Sequence, residues 1–414
     1  MRGNAWVLLL WLGACGGPAM DTGEVAHRPI EAVGRDSAGV RILEHPAADL
    51  DRAPQIVLDS APMAVFAGSA ASAANDMYAL TSLTLLGDGR AVGFDQNTSA
   101  LVTLDPVSGQ RTDRGRRGAG PGELGEFAEI VRLADDSLLI QDYANGRLAI
   151  ATADTGIVRT LVPAGASSGT FIGLASNGSV LAMVTAFDPG HAADGRQETR
   201  LLLLEWSDGA TAPDTAAAFP GAPYILEQVV QGEGPAGTTI ARRISTIAFA
   251  ATPMLMQWGE AVLHAPADRW AVESYRLDGT LAQAIRIATV PARVDAVMLD
   301  RAVAATLAAR AGGDAPIDSA AIRTHILGAP HAELVPAYER VALSPDGTIW
   351  VIDYRMPGDS GWVATAIDAD GRILGRMARP TGEAPVAFGN DRVLLRDEDA
   401  DGIVSLTFVR FSLP

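Results

Sequence analysis

From residue 54 onward, short runs of Val, Ile, Leu, Ala and Trp alternate with Gly, Asp, Asn and Pro at close intervals. Runs of this length between turn residues predict strands rather than helices. The turn residues also keep a register. "LTLLGDGRAVGFDQNTSALVTLDPVSGQ" has turns at Gly89 and Gly109, "IVRLADDSLLIQDYANGRLAIATADTGIV" at Asp136 and Gly156, and "MLMQWGEAVLHAPADRWAVESYRLDGTL" at Gly259 and Gly279; each pair is 20 residues apart. Two further units are longer, with turns at Gly178 and Gly209 around the polar insertion "DPGHAADGRQET", and at Gly347 and Gly371. The final unit, "VAFGNDRVLLRDEDADGIVSLTFVRFSLP", stops after its third strand.

Six units of strand, turn, strand, loop, strand, turn, strand are six small antiparallel sheets, each with two faces to cover. Radial stacking covers them, so the chain reads as all-β, a six-bladed β-propeller of four-stranded antiparallel blades over residues 54–414. The wide spacing between the third and fifth units leaves seven open. "PQIVLDSAPMAVF", residues 54–66, can supply the strand missing from the last unit and close the ring, leaving only short edges. One insertion interrupts the pattern. "DAVMLDRAVAATLAARAGGD" predicts a short helix near 294–310 with a glycine stop, and Val294, Val297, Met298, Arg301 and Ala305 trace one side of it. It either packs on one face of the disk or lids the central opening.

The start differs from the rest. "MRGNAWVLLLWLGACGG" has a basic residue, a short apolar stretch and small residues, the layout of an export signal over residues 1–14. Its apolar stretch is too short to span a bilayer, and no later one is long enough. Leu12-Gly13-Ala14-Cys15 resembles the lipobox of bacterial lipoproteins, which implies cleavage before Cys15 and lipidation of its thiol. Cys15 is the chain's single cysteine, so it has no partner for an internal disulfide. An ordinary export signal with an incidental cysteine is the alternative. Residues 15–53 then read as lipidated cysteine and tether. The resemblance implies an exported protein held by lipid in the cell envelope, at the outer membrane or on the periplasmic side, with Gly16 after the cysteine favouring the outer membrane.

Composition removes several chemistries. The 32 basic residues are all Arg, so mechanisms requiring a lysine (the Walker-A loop, a pyridoxal Schiff base, an S-x-x-K acyl enzyme) are excluded. A net charge of −17 repels polyanions, and no basic stripe offsets it, so nucleic acid is not an expected partner.

"GRRGAGPGELGEF", residues 115–127, contains a literal G-x-G-x-x-G. A dinucleotide fingerprint must follow a strand directly and open a helix. Here a turn and a polar run precede it, Pro121 interrupts it, and a strand follows. The loop instead resembles the connection between blades in NHL-type six-bladed β-propellers, and Asp142, Asn145, Arg147 and Gly156 continue that family's pattern. Its glycines permit positive φ and close approach of neighbouring blades, and Arg116 or Arg117 is placed to pair with nearby carboxylates.

Candidate chemistry is sparse. An aspartate recurs near the end of the second strand of four units: Asp95, Asp142, Asp353 and Asp397. All four would lie on one face of the disk. They either cap local turns or form a carboxylate ring that attracts a cation or basic peptide. Asp397 opens "DEDADG", a calcium-loop start, yet Phe408 stands at the twelfth position and strands flank the loop, so no EF-hand is expected and calcium in the hairpin stays open. "GDSGW" at 358–362 lacks the histidine segment of a serine protease. The six histidines form no ligand pair, and His264 is the one on an expected strand. Trp258, Trp270, Trp350 and Trp362 are expected to pack between blades. No catalytic residue, metal ligand or cofactor is assigned. The expectation is a monomeric, lipid-anchored binding or scaffold module whose ligand sits over the central opening on the face of the four aspartates. The alternative is a calcium- or zinc-dependent propeller hydrolase or lyase.

Overall fold

The computed structural model describes residues 28–68, 76–161, 169–187, 196–207, 210, 212–234, 237–310, 318–399 and 401–413, with backbone only at 227–243 and 246. Cys15 and the expected export signal lie outside the described residues.

The chain is a propeller-like assembly of antiparallel sheets. The first sheet runs Leu80–Leu85, Ala91–Asp95, Ala100–Asp105, Gln110–Arg114, and the second Ala128–Arg132, Leu138–Asp142, Arg147–Thr152, Gly156–Leu161. The third comprises Thr170–Leu174, Val180–Phe187, Arg196–Trp206 and a long hairpin, Asp214–Gly234 with Gly237–Thr246, that the turn register did not foretell. The fourth spans Met254–Trp258, Ala261–Ala265, Ala271–Tyr275 and Leu281–Ala288; the fifth, Tyr338–Leu343, Ile349–Asp353, Trp362–Ile367 and Ile373–Arg379; the sixth, Ala387–Phe388, Arg392–Glu398 and Val404–Arg410. Within each, sequential strands pair as a meander.

Alternation along the strands explains the apolar runs. Ile349 and Val351 belong to the buried cluster shared with the fourth sheet, while Trp350 and Ile352 belong to the one shared with the sixth. Both faces of a strand are therefore buried, and its sequence reads as continuously hydrophobic. Each consecutive pair of sheets shares such a cluster, and another joins the sixth sheet to the first through Leu85, Ala91, Leu394 and Phe408. First strands of successive sheets lie side by side, and Ala387–Phe388 lies beside Leu80–Leu85. Trp270, Trp350 and Trp362 are buried in these seams, whereas Trp258 is only partly covered.

The turns follow the expected register. Gly89, Gly109, Gly156, Gly178, Gly259, Gly279, Gly347 and Gly371 all have positive φ, and Asp136 takes the same left-handed conformation at φ 62°.

Ala64–Ala67 pairs antiparallel with Val404–Arg410 as the fourth strand of the sixth sheet. The other upstream residues correct the expected boundary at 54. Val40–Pro46 adds in parallel to Leu281–Ala288, Val33–Ser37 folds back on it, and Gln55–Ile56 adds in parallel to Ile373–Arg379. His45 is buried, between Asp49 (2.9 Å) and the Gly371 carbonyl (2.7 Å). Residues 30–67 thus strap the outer edges of the fourth, fifth and sixth sheets and are not a free tether.

The helical insertion is also larger than expected, with helices at Ala296–Arg310 and Ser319–Gly328 packed on each other. Its buried residue among the described ones is Val303, which is not on the side traced by Val294, Val297, Met298, Arg301 and Ala305, and Val297 is 67% exposed. Nearly every turn of this helix carries alanine, so no apolar stripe selects a face. Arg301 fixes the helix by donating to the Pro357 carbonyl and the Asp359 carboxylate.

Candidate functional site

The four aspartates sit where the register placed them, ending or nearly ending the second strands of their sheets. Each already has an arginine. Asp95 is fully buried, accepts the N–H groups of Asn97 (2.9 Å) and Thr98 (3.1 Å), and pairs with Arg111. Asp142, also fully buried, pairs with Arg147 at 3.1 Å. Asp353 pairs with Arg376, and Asp397 with Arg379 at 3.0 Å, across the seam between the fifth and sixth sheets. Burial pushes the Asp353 carboxyl above the usual range, opposed by Arg376. Two of these carboxylates are fully buried, and all four have a positive partner.

The glycine loop is consumed in the same way. Asp142 accepts the Gly125 N–H at 3.1 Å, Asn145 donates to the Gly118 carbonyl at 2.9 Å, and Arg147 donates to the carbonyls of Ala119 (2.9 Å) and Glu123 (2.5 Å). Glu123 accepts the Gly120 N–H at 2.9 Å and pairs with Arg116, while Arg117 pairs with Glu126 at 2.7 Å. A Cβ on Gly118 would fall 2.0 Å from Glu123 Oε2, so the loop closes on itself at a glycine. Its carboxylates are bonded within the loop, and the exposed Arg116 and Arg117 each hold a glutamate of the same loop.

Other motifs resolve similarly. In the 397–402 loop Asp397 serves Arg379, and Asp399 accepts the N–H groups of Asp401 and Ile403, both at 2.9 Å. In "GDSGW", Asp359 anchors the helix through Arg301. His264 is buried on its strand, stacked on Phe219 at 5.1 Å, with Nδ1 3.4 Å from Glu273 Oε2 and Nε2 without a partner among the described residues. No group of three His, Cys, Asp or Glu side chains that could hold a metal ion occurs among the described residues. No described helix is long and apolar enough to cross a membrane.

A large cavity opens at the other end of the strands. The aspartates end second strands, whereas the turns joining first to second strands lie at the opposite end, and turns of the second to fifth sheets surround a cavity of about 1140 Å³. Arg132 crosses it: Nη2 donates to the Ser344 carbonyl of the fifth sheet at 3.2 Å, and Nη1 to the Leu133 carbonyl (3.2 Å) and Asp136 (3.4 Å). Burial lowers the pKa of this guanidinium, with Asp136 opposing. Trp258 Nε1 donates to the Gly347 carbonyl at 3.0 Å, and Gln257 to the Leu174 carbonyl at 2.5 Å, tying the fourth sheet to the fifth and third. Leu133, Ile150, Leu174 and Leu343 give the lining apolar surface, and Arg159 and Arg276 flank it. Neither flanking arginine makes an ion pair among the described residues, whereas Asp135 and Asp346 are engaged by Ser137 and by Ser344 with Thr348. A preformed cavity of this size, joining apolar walls to charged and polar side chains, has the form of a small-molecule site. Sequence reasoning, following the recurrent aspartates, missed it. The available signal was the residues just upstream of each first turn, Arg132, Leu174, Trp258 and Ser344, which the same register brings to one end.

No protein-family model and no curated relative matches the chain. Among solved structures, it superposes on a Bacteroides fragilis protein described as exported, at 11% identity over 90% of this chain and 99% of that one, TM-score 0.44. It also superposes on a gluconolactonase of Xanthomonas campestris (13%, 87% and 98%, TM-score 0.36) and on virginiamycin B lyase from Staphylococcus aureus (11%, 85% and 87%, TM-score 0.33). At these identities and scores the likenesses carry no argument about activity.

Proposed function

We propose that the chain is an exported, lipid-anchored, six-bladed β-propeller of NHL type that captures a ligand at the turn-face mouth of its central channel without chemically transforming it. Shared apolar clusters running from each sheet to the next, and from the sixth to the first, support the closed ring. Leu12-Gly13-Ala14-Cys15 supports the anchor. The observation that carries the binding role is the cavity of about 1140 Å³ with two arginines that make no ion pair among the described residues, set against four recurrent aspartates each paired with an arginine. Capture is therefore assigned to the turn face and not to the aspartate face.

The test is native mass spectrometry of protein taken from its own membrane fraction. A bound small molecule is expected in the parent chain and not in Ser176→Trp, where an exposed turn residue lining the cavity fills its mouth. A stoichiometric divalent metal surviving extended dialysis against chelator would overturn the reading in favour of a metal-dependent hydrolase or lyase. Labelling with radioactive palmitate, lost in Cys15→Ser, checks the anchor.

A further inference from the structure

We propose that the turn-face cavity selects an amphipathic anion: a small molecule with one acidic head and an apolar or aromatic body. This deepens the capture reading and rests on it.

The body follows from the walls. Leu133, Ile150, Leu174 and Leu343 line the cavity beside the partly covered Trp258 ring, whose only polar atom is already committed to the Gly347 carbonyl. Such a surface gains from excluding water against hydrocarbon or a flat ring.

The head follows from the charges. Arg159 enters from the outer strand of the second sheet and Arg276 from the end of the third strand of the fourth, on opposite flanks. Many arginines of this chain hold carboxylates, among them Arg90, Arg111, Arg147, Arg355, Arg372 and Arg379, and Arg276 feels the charge of Asp278. Arg159 and Arg276 make no ion pair among the described residues, which leaves two guanidiniums at one cavity able to take an anion in a chain of net charge −17. Of the three acids that line it, Asp135 and Asp346 are held by their own turns, and exposed Glu260 is the one without a bonding partner among the described residues. On the floor Arg132 is met mainly by carbonyl oxygens. A carboxylate, sulfonate or phosphate head can gain charge-assisted hydrogen bonds here. A long polyanion is disfavoured by the acidic remainder of the molecule, and a cation by Arg132, Arg159 and Arg276 at the cavity.

The experiment titrates the full mature chain with two fluorescent probes: 8-anilino-1-naphthalenesulfonate, and N-phenyl-1-naphthylamine, which keeps the aromatic body but lacks the sulfonate. The expected result is saturable sulfonate binding that weakens with added salt. It should fall about ten-fold or more in Arg159→Gln/Arg276→Gln, while the neutral probe changes less than about two-fold. Both arginines are exposed, and an unchanged melting temperature verifies folding. If Ser176→Trp blocks both probes but the double variant binds the sulfonate like the parent, the anion preference is overturned and the cavity reading survives. If Ser176→Trp blocks neither probe, the cavity is not the site, and both readings fall.

Discussion

Phe66 offers a direct test of ring closure. It sits in the strand Ala64–Ala67, 9% exposed, with its ring edge-on to Phe408 at 5.7 Å and 63°, in the cluster that joins the sixth sheet to the first. Phe66→Ala removes roughly 150 Å² of buried apolar surface, worth about 4 kcal/mol at ~25 cal/mol/Å². The strand's position at a sheet edge allows partial collapse, so about 3 kcal/mol is expected. Val65, the preceding residue, faces outward at 52% exposed, and Val65→Ala should cost less than about 0.5 kcal/mol. The assay is hydrogen exchange read by mass spectrometry over residues 404–410. If the closing strand opens locally, exchange there should rise on the order of 100-fold in Phe66→Ala and hardly at all in Val65→Ala, with residues 138–152 of the second sheet unaffected. Equal responses from the two variants, or unchanged exchange at 404–410, would refute a packed closing strand.

Two further outcomes follow from buried charge. Glu273 is 6% exposed; burial alone would raise its pKa, but hydrogen bonds from His264, Arg269 and Tyr275 outweigh it and hold the carboxyl at about 2. Because the folded value lies below the unfolded 4.5, its stabilisation is complete above about pH 5 and fades as pH falls toward 2, a loss of about 3 kcal/mol. Urea melts of the parent and Glu273→Gln should therefore converge by that amount between pH 5 and pH 2, and a constant difference would contradict the assignment. Arg147→Met should cost about 3 kcal/mol, since it strands a fully buried carboxylate and two loop carbonyls, whereas Arg379→Met, whose partner Asp397 is 32% exposed, should cost less than about 1 kcal/mol. Denaturation midpoints compare them directly, and equal costs would show that burial does not set the difference.

What could be read from the chain alone was whatever depends on a few adjacent residues. A left-handed turn needs Gly or Asp at one position, and a strand between two covered faces needs an unbroken apolar run. The turns at Gly89, Gly109, Gly156 and Gly347, the strands around them, and Asp95 and Asp142 at strand ends therefore fell where the register put them. That a strand from just upstream would complete the last unit was readable because that unit lacked one, but only Ala64–Ala67 fills the place, while Gln55–Ile56 adds to the fifth sheet. The helix was readable as a helix, but its buried side was not, since alanine on every turn leaves the choice to whatever packs against it.

Tertiary structure alone decided the pairings between distant segments. Val40–Pro46 is short and flanked by charge, which reads as a tether until Leu281–Ala288 offers it an open edge. Whether the four aspartates were free or neutralised depended on Arg111, Arg147, Arg376 and Arg379, and the last of these comes from the neighbouring sheet. The cavity is assembled from turns of four sheets far apart in sequence, and its cross-channel bond joins Arg132 to Ser344. Local pattern sets which residues face a seam and which residues turn. Which charge meets which, and where space is left unfilled, follow only once the sheets are packed against one another.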